Sequence, residues 1–206
     1  MDKIKPNILQ EKIKKVLQME SEAVLSLIEN IDYQVLLKTA ETIIACKGKI
    51  ITTGCGTSGV AAKKIAHSFS CTRRPAFFLS PAEALHGGLG VVDSSDIVIL
   101  ISKGGKTDEL IGMLKSLKAI SPTIIVVSEN NSSPMVGVAD IWIKIPILQE
   151  PDSFNMLATS STLATIAYFD ALIIFIKEWS GFTKEDFLLV HPGGAVGERL
   201  IHDISK

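Results

Sequence analysis

"KIITTGCGTSG" (residues 49–59) runs from a short β-branched segment into a turn with three glycines and a serine. Helical spacing takes over directly after it, in "VAAKKIAHSF" (60–69). Strand, glycine-rich turn and helix in that order open a βαβ unit. A second turn of the same kind, "SKGGKT" (102–107), leaves the apolar run "DIVILIS" (96–102). In open α/β sheets, ligands bind beyond the carboxyl ends of the strands. Both turns are therefore expected on one ligand edge.

Working outward, "PAFFL" (75–79), "TIIVVS" (123–128) and "IWIKIP" (141–146) share the character of the first run. They are short, rich in Ile, Val and Phe, and nearly continuous in apolar character, as strands buried on both faces are. Helix-like stretches at about 57–71, 81–86, 107–119 and 133–138 separate them. The alternation predicts an α/β fold, a three-layer αβα sandwich with a central five-stranded parallel sheet, flavodoxin-like in kind. Residues 7–31 and 33–47 carry helical apolar spacing, the second stretch closed by Gly48. A single domain is expected: helices over 7–47, an α/β core over 48–146, and a long apolar helix with its tail over 156–206.

The chain has 206 residues, 21 basic and 22 acidic, and no basic run beyond "KIKK" (12–15) and Arg73-Arg74. That balance argues against nucleic acid as a partner. Cys46, Cys55 and Cys71 are odd in number and lack metal-ligand spacing, so a reducing cytoplasm is expected. Cys55 stands at a helix start, which can lower a thiol pKa, but a small apolar filler is the better reading. Residues 156–176 approach membrane-spanning length. Asp170 interrupts them and no basic flank orients them, so the stretch reads as a buried helix rather than a membrane span.

The turns themselves suit an anion. Gly54, Gly56 and Gly105 permit close backbone approach, and the helix beginning near Ser58 offers free N–H groups and a positive dipole end. Thr57, Ser58, Ser102 and Thr107 bring hydroxyls to the same turns; Lys103 and Lys106 are either solvated loop charges or anion partners. The pattern is not G-x-x-x-x-G-K-[ST], which disfavours a nucleoside triphosphate. Glycines at 54, 56 and 59 do give G-x-G-x-x-G, but no acidic residue stands about 20 positions on, so a dinucleotide is second best. A monophosphate on a small molecule fits best.

The two turns resemble the phosphate motifs of the sugar isomerase (SIS) domain. "PAFFLSPAEALHGGLGVV" (75–92), "TSST" (159–162) and above all "GFTKEDFLLVHPGGAVGERL" (181–200) resemble the D-arabinose 5-phosphate isomerases. Those enzymes interconvert arabinose 5-phosphate and ribulose 5-phosphate for Kdo and capsule sugar synthesis. The resemblance implies that Ser58, Ser102 and Thr107 bind phosphate, that Glu109 and Glu150 are catalytic carboxylates, and that His86 and His191 are the imidazoles. It also implies a homotetramer whose sites are shared between subunits. It implies no cofactor, and the sequence shows no cluster to hold a metal. An enediol isomerisation needs a base and an acid–base partner at the oxygens, which carboxylate and imidazole supply.

Three departures stand out. Thr57 replaces a lysine common in the family's first turn, and the second turn loses a serine at Gly104 while gaining Lys103 and Lys106. Of the two, Lys106 at a helix start is expected to stand in for the missing cation. The CBS modules of many relatives are absent after the isomerase domain, so nucleotide-type regulation is not expected. Without the resemblance, Glu109 reads as a helix-dipole partner, Glu150 as a solvated loop residue and His86 as a cap. His67 and His202 read as structural. The alternative to an isomerase is a non-catalytic SIS module that binds a phosphosugar or nucleotide sugar; Thr57 favours it, and the carboxylates with His191 favour the enzyme.

Overall fold

A computed structural model describes residues 5–205. Helix α1 (Pro6–Leu25) starts with proline in its first turn, where the missing N–H costs nothing. The apolar spacing over 7–31 predicts one helix, but the chain steps at Ser26, whose hydroxyl bonds the Ala23 carbonyl at 2.9 Å, and resumes as the single turn α2 (Leu27–Asn30). Asp32 caps α3 (Tyr33–Ala45) by accepting from the Gln34 and Val35 amides at 2.9 and 3.1 Å.

The strands are β1 (Ile50–Gly54), β2 (Ala76–Phe78), β3 (Ile97–Ile101), β4 (Thr123–Val127) and β5 (Ile141–Ile143). They form one parallel sheet in the order β2-β1-β3-β4-β5. Each lies inside its expected stretch, except that β1 runs one residue further, to Gly54. Successive residues fall on opposite faces. Ile97, Ile99 and Ile101 join Ile125 and Val127 on one face; Val98 and Leu100 join Ile124 and Val126 on the other. All five β3 residues are buried, each worth about 1.5–3 kcal/mol over an exposed position. That is why these strands read as continuous apolar runs.

Helix α4 (Gly56–Cys71) covers the first face with α3 and α7 (Ser160–Trp179). Helices α5 (Pro81–Leu85) and α6 (Asp108–Ile120) cover the second. The helix expected at 133–138 is only a 3₁₀ turn at Val136–Val138. Helix α7 is long and apolar enough to cross a membrane by length and composition. Here it packs on α4, α1 and α3, and Phe169 and Leu172 lie in the core. The expected tail holds two helices, α8 (Lys184–Val190) and α9 (Gly194–Ile204), packed on each other.

The order 2-1-3-4-5 reverses direction between β1 and β3. At such a switch point two loops diverge to opposite faces and leave a crevice. The turns after β1 and β3 flank it. Gly59 makes the first turn possible, because a Cβ there would stand 2.6 Å from the Gly54 carbonyl oxygen. Gly105 does the same for the second: its φ is +64° and a Cβ would meet Ser133 at 2.5 Å.

Candidate active site

The second turn is tied by its own hydroxyls. Ser102, only 5% exposed, shares a 2.9 Å hydrogen bond with Thr107 Oγ1 and accepts from the Gly105 amide at 3.1 Å. Either hydroxyl can donate in the first bond, which leaves the other proton free for a ligand. Ser58, in the first turn of α4, lines a cavity together with Lys103, Glu129, Ser161 and Thr162. The cavity thus meets the first turn, the ends of β3 and β4, and the start of α7. The amino ends of two long helices, α4 and α7, border it.

Lys103 dominates the polar wall. Its ammonium lies 2.8 Å from Glu150 Oε1. Glu150 is 2% exposed and sits behind the wall. Its Oε2 accepts from the Thr159 amide at 3.0 Å and the Ser161 amide at 3.4 Å, and Ser161 Oγ donates to Oε1. Burial opposes the charge, but Lys103, Ser161 and the Thr159 amide overcome it and hold the carboxyl below its ordinary range. Glu150 is therefore not a solvated loop residue. It accepts from the amides at the start of α7 and pairs with Lys103.

The other expected residues fall elsewhere. Glu109 is exposed in the first turn of α6 and lines a second, more open and roomier depression with Gly54, Cys55, Gly56, Lys63 and Ser80. Burial, and then the charge of Glu109 beside it, push the Cys55 thiol up. The helix start does not activate this thiol, in keeping with its reading as a filler. His86 ends α5, whose Leu85 packs on Gly112 of α6, and is exposed on the same flank as Glu109. Thr57 and Lys106 are exposed and belong to neither lining. Lys106, expected to supply the missing cation, is exposed here, while Lys103 lines the cavity and pairs with Glu150.

His191 lies apart. It ends α8, its ring 4.2 Å from that of Phe187, and its Nδ1 is buried with no hydrogen-bond partner among the described residues. Arg73 pairs with Asp186 of α8, and Arg73 follows the far end of α4 from Ser58. Sixteen residues of helix, about 24 Å, separate those ends. Asp186, five positions before His191, is thus held at the end of α4 away from Ser58.

Glu129 escaped the sequence reading. It stands two residues past β4 just as Lys103 stands two past β3, and that position at the ligand edge was the available signal. No group of three or more His, Cys, Asp or Glu side chains able to hold a metal occurs among the described residues.

Fold and site define an αβα protein with two glycine-rich turns flanking the β1/β3 switch point. The chain belongs to the SIS domain family, which residues 43–175 match. It is similar to the arabinose 5-phosphate isomerase KdsD of Pseudomonas aeruginosa, 39% identical over 183 residues that make up 89% of this chain and 56% of that protein. KdsD of Yersinia pestis is 40% identical over 196 residues, 95% of this chain and 60% of its own length. The chain thus spans less than two thirds of these curated relatives. A candidate sugar-phosphate isomerase of Listeria monocytogenes superposes with a TM-score of 0.91 at 46% identity, covering 93% of this chain and 100% of the other. An Escherichia coli CFT073 protein solved in complex with arabinose 5-phosphate gives 0.88 at 32%, covering 92% and 100%.

Proposed function

We propose that this protein is an aldose–ketose isomerase of a phosphosugar, interconverting arabinose 5-phosphate and ribulose 5-phosphate through an enediol. The observation that carries the reading is the cavity where Ser58, Lys103 and the start of α7 meet, with Lys103 held by a buried carboxylate. Ser58, the Ser102–Thr107 pair and the α4 amino end would receive the phosphate. Lys103 would supply positive charge where the enediolate develops, the task the family's first-turn lysine leaves open at Thr57. Glu109, exposed and outside any ion pair among the described residues, would carry the proton.

The imidazoles would arrive from neighbouring copies. Apolar side chains remain exposed on α1 (Ile8, Leu9, Ile13, Leu17) and on α7 (Phe175, Trp179), as surfaces that meet other chains do. With His191 remote from its own turns, we propose a homotetramer with shared sites, working in the cytoplasm, where its three thiols stay free.

A coupled assay with ribulose 5-phosphate, beside a panel of other phosphosugars, tests the activity. Turnover of ribulose 5-phosphate above the panel is expected; none with any phosphosugar overturns it. Chains with Glu109→Gln and chains with His191→Ala should each lose about 10²–10⁴-fold in turnover. Mixed and reassembled, they should recover part of it. Failure to recover, with mixed assemblies verified, defeats the shared site.

A further inference from the structure

Glu129 and Lys103 stand side by side at the ligand edge. The register pairs Val127 with Ile101, and each residue lies two positions beyond. The Glu129 amide donates to the Lys103 carbonyl at 3.0 Å, and Ser128 Oγ donates to the same oxygen at 3.2 Å. Both residues line the cavity. There the likeness stops. Lys103 is paired, whereas Glu129 Oε1 is buried and has no hydrogen-bond partner among the described residues. Other buried oxygens also lack partners, at Thr53, Thr159, Ser160 and Tyr168, but those residues do not line the cavity.

A buried acceptor left unmade costs about 1–3 kcal/mol. A fold keeps such a group where something else satisfies it. Glu129 lines the cavity, whose other polar walls include Ser58, Lys103, Ser128, Ser161 and Thr162. We propose that Glu129 is a further substrate-contacting residue, its carboxyl group bonding a hydroxyl of the phosphosugar in this cavity. The proposal rests on the phosphosugar reading given above. A sugar presents several hydroxyls, each able to donate to Oε1 or accept from a protonated carboxyl. Burial, chiefly, with the charge of Glu150 adding and Lys103, Lys144 and the Ile147 amide opposing, pushes the Glu129 carboxyl up. A carboxyl more readily neutral repels an anionic substrate less and can also donate.

The test compares wild type, Glu129→Ala and Glu129→Met for turnover of ribulose 5-phosphate and for thermal midpoint. Loss of one substrate hydrogen bond should raise KM about tenfold while kcat stays within a few-fold. The midpoint should not fall, because both variants delete an unpaired buried oxygen. A purely structural Glu129 would give the reverse, a lower midpoint with KM unmoved. KM within twofold of wild type in both variants overturns the proposal. If wild type shows no turnover, the isomerase reading has failed, and calorimetric binding of arabinose 5-phosphate decides this one: about tenfold weaker binding by Glu129→Ala supports it, equal binding overturns it. No binding by wild type overturns both.

Discussion

Two buried carboxylates sit at opposite ends of the sheet and are built alike. Asp96, 1% exposed, precedes β3; it takes Lys49 Nζ at 2.7 Å and the amides of Lys49 and Asp93 at 2.9 and 2.7 Å. Glu150 takes Lys103 Nζ at 2.8 Å and the amides of Thr159 and Ser161. In both, burial works against the charge and the donors overcome it, so both carboxyls lie below their ordinary range. The difference is what each lysine faces. Lys49 stands at the amino end of β1, where the parallel sheet has no crevice. Lys103 stands at the carboxyl end of β3 and lines the cavity. One ion-pair design thus serves as a clamp at one end and as an aimed charge at the other. Strand polarity, not local electrostatics, separates the two.

Lysine removal tests that division most strongly. Lys103→Ala should lower turnover about 10²–10³-fold, the scale for losing one preorganised electrostatic group. Lys49→Ala should leave the turnover of folded protein unchanged. Steady-state kinetics on both variants checks this, and equal losses would erase the distinction between the ends. The double change Lys103→Met with Glu150→Gln should regain stability lost in Lys103→Ala, because no unpaired charge stays buried. It should regain no activity.

Next in size is the clamp itself. Asp96→Asn should cost about 3 kcal/mol, the lower end for breaking a buried pair, since Lys49 keeps partial contact with water. Chemical denaturation measures it. A loss under about 0.5 kcal/mol would mean that Asp96 merely occupies space.

The smallest effect is the response to acid. Both carboxyls have folded pKa values below their unfolded ones, so the unfolded chain binds more protons as pH falls toward about 4. Stability from each is complete above that range and lost as pH drops through the lowered folded values. The thermal midpoint of wild type should therefore fall on acidification below about pH 4, and that of Asp96→Asn should fall less steeply. Parallel slopes would mean that Asp96 adds nothing to the acid response.

Much of this was legible beforehand because it depends on neighbours in sequence. A strand buried on both faces must be apolar throughout, so β3 and β4 announce themselves. Gly54, Gly59 and Gly105 mark turns that no Cβ fits. The bounds of α1 and α8 were less legible, since the chain steps at Ser26 without a glycine or proline to mark it and the capping box of Thr183 and Asp186 begins α8 within an apparent tail.

Local pattern alone thus determined a parallel α/β sheet with two glycine-rich turns at the carboxyl ends of its strands. Which charge enters that edge depended on contacts between distant segments. Lys106 and Lys103 are three positions apart and equivalent as letters. Only folding brings Glu150, 47 positions from Lys103, behind the β3 turn and aims one ammonium at the cavity, leaving the other in solvent. The same holds for His191. Its motif is local, but the contact of Asp186 with Arg73 that seats α8 at the end of α4 joins residues 113 positions apart. Sequence spacing encodes strand, turn and helix because those interactions span a few residues; pairing and placement arise from side chains that meet only once the core has closed.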